Sequence, residues 1–332
     1  MDTMRDRFEQ VTSQLLDNNP RLAVVTADIG ADAFEPARRR HPGRVINLGI
    51  REQLLIGATS GLALAGMRPV AHTFAPFLVE RPFEQIKLDI VHQDVGAVLV
   101  SAGGSFDYPF YGRTHMAPGD VALLDTLPGW TVHVPGHADE AELLVRDAIA
   151  ATGQVYIRLS LPANAQAFPV QPAEFTVLRT GRSGTVIAVG PVADAVLAAT
   201  TGLDVTVLYA ATVRPFDTAT LRATLGTPDV VVVEPYLAGT TVPFIAEALR
   251  DIPHRTIGLG VGRDELRHYG APDEHTAAHG LDAASLRAQI DAFLCGALTN
   301  AHMSVAEHGQ LASDSLSPDI MRATTLRPGK SS

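Results

Sequence analysis

The chain has 332 residues, 46% apolar and 19% charged, with 26 basic against 36 acidic side chains and a formal net charge of −10. At roughly 150 residues per domain the length fits two domains, and this balance excludes general disorder. No apolar run approaches the ~18 residues a membrane span needs, and the opening Met-Asp-Thr-Met-Arg-Asp-Arg has no signal-peptide core. Basic residues cluster only at Arg38, Arg39 and Arg40, which argues against a nucleic-acid partner. One cysteine, Cys295, excludes an internal disulfide and a Cys-based zinc cluster and points to a cytoplasmic protein.

In the first half, short β-branched runs alternate with helical stretches. Strands are predicted around Leu22–Thr26, Val45–Asn47, Pro69–Ala71, Ala97–Val100, Thr131–Val134 and Val155–Leu159. Several are apolar at successive positions, the pattern of strands covered on both faces. Helices are predicted over Glu52–Leu64, Leu78–Val91, Val121–Leu124 and Asp139–Ala151, so the alternation predicts a mainly parallel sheet with right-handed crossovers. Pro162, Pro169, Pro172, Gly181 and Gly184 interrupt the rhythm, and residues 166–184 read as a linker. A second, smaller alternating set follows, with strands near Thr185–Val189, Asp204–Leu208, Val230–Glu234 and Thr256–Leu259. The fold class is therefore α/β, two doubly wound domains spanning 1–165 and 185–297, followed by a polar, pattern-free segment 298–332 expected to be disordered.

The stretch from Val45 to Gln85 concentrates the chemistry. A strand ends near Asn47 and a helix starts near Arg51, which places Glu52 on a first helical turn, where open α/β sheets gather ligands. Gly57, Ala58, Ser60, Gly61, Ala63, Ala65 and Gly66 then let this helix approach its neighbours closely. An acid in a first turn is also explained by the helix dipole, worth ~0.3–1 kcal/mol. His275 and His279, four apart, suit either a metal or, with Gly280 following, a helix end complementing the dipole.

Gly49-Ile50-Arg51-Glu52-Gln53, Thr73-Phe74-Ala75-Pro76-Phe77, Arg81-Pro82-Phe83-Glu84-Gln85-Ile86, Gly112-Arg113-Thr114-His115 and Val155-Tyr156-Ile157-Arg158-Leu159 together resemble the pyrimidine-binding domain of the transketolase family. Val233-Glu234-Pro235, Arg263-Asp264-Glu265-Leu266 and His279-Gly280-Leu281-Asp282 resemble the family's carboxyl-terminal domain, so the resemblance covers about residues 10–295. Single-chain halves of this design occur in split transketolases, and the beta subunits of 2-oxo acid dehydrogenases are similar.

The resemblance implies thiamine diphosphate as cofactor and assigns roles to particular residues. Glu52 matches the glutamate held against N1′ of the aminopyrimidine, so its carboxyl should be sequestered. Burial disfavours a charged carboxylate by up to ~4–7 kcal/mol, against at most ~1 kcal/mol from the helix dipole. Phe77 matches the aromatic stacked on the pyrimidine, with Phe74 one helical turn before it; both also suit a plain core pair. Asp28 matches an acid near the cofactor across a subunit interface, or caps a helix. Arg81 matches a position near the pyrimidine, or pairs with Glu80 or Glu84. His115 matches the substrate-facing histidine of a Gly-x-Thr-His motif.

The departures matter as much. No Gly-Asp-Gly, the family's signature for holding Mg²⁺ and the diphosphate, occurs in the chain. Because a diphosphate with Mg²⁺ needs hard oxygen ligands, a partner subunit is expected to supply them, most simply in an α2β2 assembly. Tyr111, Gly103 and Leu161 stand where sugar-phosphate transketolases have an Asp, a His and a phosphate-gripping Arg. Phe106, Tyr108, Phe110 and Tyr111 crowd the same loop, which predicts a less polar pocket and a non-standard substrate. The function implied is transfer of a two-carbon ketol unit, with Glu52 and His115 catalytic and Phe77, Phe74, Asp28 and Arg81 on the cofactor. The alternatives are decarboxylating acyl transfer from a 2-oxo acid and a non-catalytic subunit.

Overall fold

A computed structural model of the chain describes residues 2–296; the segment 298–332 expected to be disordered lies outside the described residues. Among the described residues, twelve strands form two sheets. The first contains β1 (Leu22–Thr26), β2 (Val45–Asn47), β3 (Arg68–Phe74), β4 (Val98–Ala102), β5 (Trp130–His133) and β6 (Gln154–Arg158). The second contains β7 (Thr176–Arg179), β8 (Thr185–Val189), β9 (Thr206–Ala210), β11 (Asp229–Leu237) and β12 (Arg255–Val261), while β10 (Thr212–Arg214) returns to the first. The orders are β10-β5-β6-β4-β3-β1-β2 and β12-β11-β8-β9-β7, parallel throughout except for the antiparallel edge strands β10 and β7.

Burial on both faces explains the continuous apolar strands. In β4, Val98 and Val100 pack toward the helices Met4–Asn18 and Ala138–Ala150, whereas Leu99 packs toward the helix Glu52–Leu64. One apolar cluster runs without a break from Leu55, Ile56 and Leu99 through Val132 and Val134 to Leu208, Val232 and Ile245, so the two sheets share a core.

Two features depart from the periodicity. The stretch 166–184 holds β7, which pairs antiparallel with β9 through Thr176↔Tyr209 and Val177↔Leu208. Flanking prolines and glycines conceal this strand, which is anchored by buried Phe175, edge-on to Phe216 at 5.1 Å. The helix predicted over Leu78–Val91 is instead two wide-turn helical segments, Pro76–Glu80 and Ile86–His92, joined by the short helix Phe83–Gln85. Pro82 lacks the N–H a continuous helix requires, and Arg81 N–H reaches back to Pro76 O at 3.1 Å. Such turns change which face a side chain occupies.

His72 on β3 and His133 on β5 are sealed inside the first sheet, and desolvation pushes them down to about 3 and about 4. Both pKa values lie below the unfolded value, so the unfolded chain takes up these protons first as pH falls. Stability is retained above about pH 6.5 and declines by about 1.4 kcal/mol per histidine per pH unit below it. Chemical denaturation between pH 7 and 5 should show this slope, and His72→Asn should reduce it.

Candidate active site

Between β1 and β3 the strand order reverses, since β2 lies on the far side of β1 while β4 lies beyond β3. Such a switch point opens a crevice at the strands' carboxyl ends. Beyond β1 the chain carries Asp28, β2 leads through a short link into Glu52, and β3 ends at Phe74 and continues into Phe77. The loop after β4 returns to this crevice with His115, on the helical turn Arg113–His115.

Glu52 is 3% exposed. Its Oε1 accepts a hydrogen bond from Arg81 Nη1 at 2.6 Å, while Oε2 accepts none among the described residues. The wide turn at Pro76–Glu80 brings Arg81 there and lays its guanidinium 4.2 Å from the centre of the Phe77 ring, a cation–π contact. Arg81 therefore pairs with Glu52 rather than with Glu80 or Glu84. Phe74 and Phe77 stack at 6.3 Å, and the half-buried His115 sits edge-on to them at 6.0 and 5.1 Å. Phe74 is the last residue of β3 rather than part of a helix. Burial, and after it the charge of Arg81, hold the His115 imidazole below its usual value, so it is neutral at pH 7.

Five of the six sequence-derived residues thus converge. Asp28 does not join them. It is exposed, in the left-handed region at φ 62°, and it exchanges two 3.0 Å hydrogen bonds with Asn47 rather than capping a helix. Its neighbour Ile29 does pack on the cluster of Phe74, Phe77, Ala102 and Tyr108.

The aromatic loop divides. Tyr108 stacks on Phe74 at 5.0 Å, and Tyr111 lies 4.7 Å from His115 with Phe110 beside it. Phe106, expected in the same pocket, turns away toward the second sheet and stacks against both His275 and His279, at 5.5 Å from each, the two imidazoles being 6.4 Å apart. His279 follows the helix Pro272–Ala278, and the ring of His275 bonds Tyr269 O at 2.8 Å.

Spacing gave no notice of two other elements. Arg5, from the helix Met4–Asn18, reaches a cavity of about 220 Å³ bounded by Ala102, Tyr108, Leu159, Ser160 and Leu161, with its guanidinium 5.8 Å from the Phe74 ring centre. The pocket beside Leu161 is therefore not wholly apolar. Beneath the loop, Arg158 is fully buried, donating to Asp120 Oδ2 at 2.8 Å and to Ser105 Oγ at 2.6 Å, and Tyr156 donates to the same carboxylate at 2.7 Å. A legible clue did exist: an arginine inside Val-Tyr-Ile-Arg-Leu demands a buried partner. Arg5 left no such clue, because nothing local links it to residues past β6. Asp107 accepts Leu161 N–H at 2.8 Å, and burial pushes its carboxyl up to about 7.

The first lobe is doubly wound, with a sequestered first-turn glutamate and an aromatic wall at its switch point. The chain belongs to the transketolase family: residues 2–164 match the transketolase pyrimidine-binding domain. The 6-deoxy-6-sulfo-D-fructose transketolase subunit of Clostridium sp. (strain MSTE9) is 30% identical, over 85% of this chain and 92% of its own length. A 33.6 kDa protein of the fasciation locus of Rhodococcoides fascians is 52% identical, over 86% of this chain and 93% of its own. A solved split gene transketolase, described as an inactive beta4 tetramer, matches with TM-score 0.77 at 28% identity, covering 89% of this chain and 99% of that one.

Replacing Arg81 by Gln removes the charge that helps hold His115 low. The His115 titration midpoint, followed by NMR of its imidazole, should rise toward the usual value; an unmoved midpoint contradicts the electrostatic contact.

Proposed function

We propose that this chain is the pyrimidine-binding subunit of a split, thiamine diphosphate-dependent transketolase that transfers a two-carbon ketol unit between a ketose and an aldehyde. The observation that carries the reading is the unshared oxygen of Glu52, a buried carboxylate whose other oxygen is taken by Arg81. That oxygen is reachable from the crevice rather than sealed in the core, and a protonated ring nitrogen of an aminopyrimidine is a donor able to meet it. The aromatic wall of Phe77, Phe74 and His115 offers that ring flat surfaces. The residues present therefore fit the pyrimidine half of the cofactor.

The chain lacks Gly-Asp-Gly, and among the described residues no group of three or more His, Cys, Asp or Glu is placed to hold a metal. Our reading therefore includes a diphosphate-binding partner subunit that carries Mg²⁺, an α2β2 assembly and a cytoplasmic setting. It is supported by the Clostridium relative being a transketolase subunit and by the matching split-gene chain being an inactive tetramer in the beta4 form. Among the described residues no helix is long and apolar enough to cross a membrane.

Bound thiamine diphosphate supplies the carbon nucleophile and the electron sink of ketol transfer. This chain's share is to prepare it and to position the substrate. Glu52 Oε2 holds the proton on the ring nitrogen, and Arg81 keeps the carboxylate oriented. Phe77 and Phe74 set the ring plane. His115, neutral at pH 7, presents a hydrogen bond to a substrate hydroxyl or carbonyl oxygen. Arg5, already paired through Nε with Glu9 at 2.9 Å, keeps its other guanidinium N–H groups for an anionic end of the substrate.

Reconstitution with the diphosphate-binding subunit tests the reading. Glu52→Gln should lower turnover by a factor of about 10² or more, the usual range for a proton-transfer group, while leaving the circular dichroism unchanged. Undiminished activity in this variant, or full turnover by the isolated chain, overturns it.

A further inference from the structure

The turn that carries His115 is restrained from the second lobe at a single peptide. Gly112, immediately before the turn Arg113–His115, is left-handed (φ 80°, ψ −172°), and its carbonyl accepts the His115 N–H at 3.0 Å. The Gly112 backbone therefore sets where the imidazole of His115 stands against Phe77 and Tyr111, at 5.1 and 4.7 Å. A Cβ on Gly112 would lie 2.7 Å from Cε1 and 3.1 Å from Cζ of Tyr269. The Tyr269 ring thus occupies the space that any side chain at this position needs.

Tyr269 belongs to the irregular stretch 262–271, which links β12 to the helix Pro272–Ala278. Its carbonyl is bonded by the ring of His275 at 2.8 Å, and His275 is buried and stacks on Phe106 of the same first-lobe loop. Four residues earlier, Glu265 accepts from Arg113 Nε at 3.2 Å. A cavity of about 250 Å³ takes walls from both segments, Phe106 and Met116 on the loop side, Arg263 and Leu266 on the other. The two segments are separated by a hollow there and meet through discrete contacts. Arg113 and Glu265 are each about half exposed, and an exposed ion pair restrains little. The Tyr269 ring is the firmer contact, because its own backbone is tied to a buried residue.

We propose that Tyr269 is a positioning residue for ketol transfer: its ring fixes the Gly112 peptide, and through that peptide the placement of His115 against the substrate. This inference rests on the transketolase reading above and gives the second lobe a part in that reaction. A group that orients substrate loses up to ~10²-fold in rate when misplaced by ~1 Å, so one ring contact on the preceding glycine bears directly on turnover. Tyr269 is 64% exposed, so its truncation leaves the core intact.

The test is a double-mutant cycle in the complex reconstituted with the diphosphate-binding subunit. D-fructose, D-xylulose and their phosphate esters serve as donors, the fastest being kept, with glycolaldehyde as acceptor. Tyr269→Ala should lower kcat/KM by a factor of about 10–10². The same substitution in a His115→Ala background should cost less than about twofold, because the residue it acts through is gone. Tyr269→Phe, which keeps the ring, should restore the wild-type rate. Amide hydrogen exchange of the full chain gives a readout independent of activity. The His115 N–H should exchange about tenfold faster in Tyr269→Ala and stay protected in Tyr269→Phe, with Leu99 in β4 unchanged throughout. Unaltered exchange at His115, or an undiminished loss in the His115→Ala background, overturns the positioning role and leaves the transketolase reading intact. A wild-type complex that turns over none of these donors overturns both.

Discussion

The pairing of one buried carboxylate with one half-exposed guanidinium organises this molecule. Glu52 sits where water is nearly excluded, and a charge there is tolerable only with a counter-charge at contact distance. Arg81 provides it at 2.6 Å while its guanidinium lies against Phe77. The two residues come from different elements, so their contact sets the relation between the helix Glu52–Leu64 and the wide-turn segment after β3. Because Arg81 engages only one carboxylate oxygen, the other remains as the chemically distinctive atom of the crevice.

A second constraint holds the loop that carries His115. The loop from Gly103 to Gly119 has little regular structure, yet it is fastened from below and from the second sheet. Arg158 and Asp120 grip it inside the first lobe, Ser105 donates to Pro235 O, and Leu237 N–H bonds Pro118 O at 2.7 Å. Arg214 from β10 forks onto Asp125 at 2.8 and 2.5 Å, and β10 itself completes the first sheet. The second lobe therefore acts as a clamp on the loop that carries His115. A rigid scaffold of this kind is what precise placement of a side chain on a loop requires.

The aromatic content of that loop has two distinct uses. Phe106, stacked against both His275 and His279, is a tie between the lobes. Tyr108 lies against Phe74, and Tyr111 against His115 with Phe110 beside it, while the cavity that Tyr108 borders is also lined by Arg5 and Asp6. Composition treats these four aromatics alike, and their different surroundings separate them.

The sequence by itself determined the strand–helix alternation of both lobes, the position of Glu52 on a first helical turn, and the departures at Gly103, Tyr111 and Leu161. These are legible because hydrophobic period, helix starts and motif spacing are encoded over short stretches of neighbouring residues. Tertiary structure alone decided that Arg81 meets Glu52, that Asp28 turns to Asn47, that Phe106 leaves the pocket and that Arg5 enters it. It also revealed β7 within a stretch that reads as linker and the wide turns around Pro82. In each case the deciding contact joins segments brought together by sheet order and loop anchoring, and a linear pattern carries no record of which distant side chain will fill a given space.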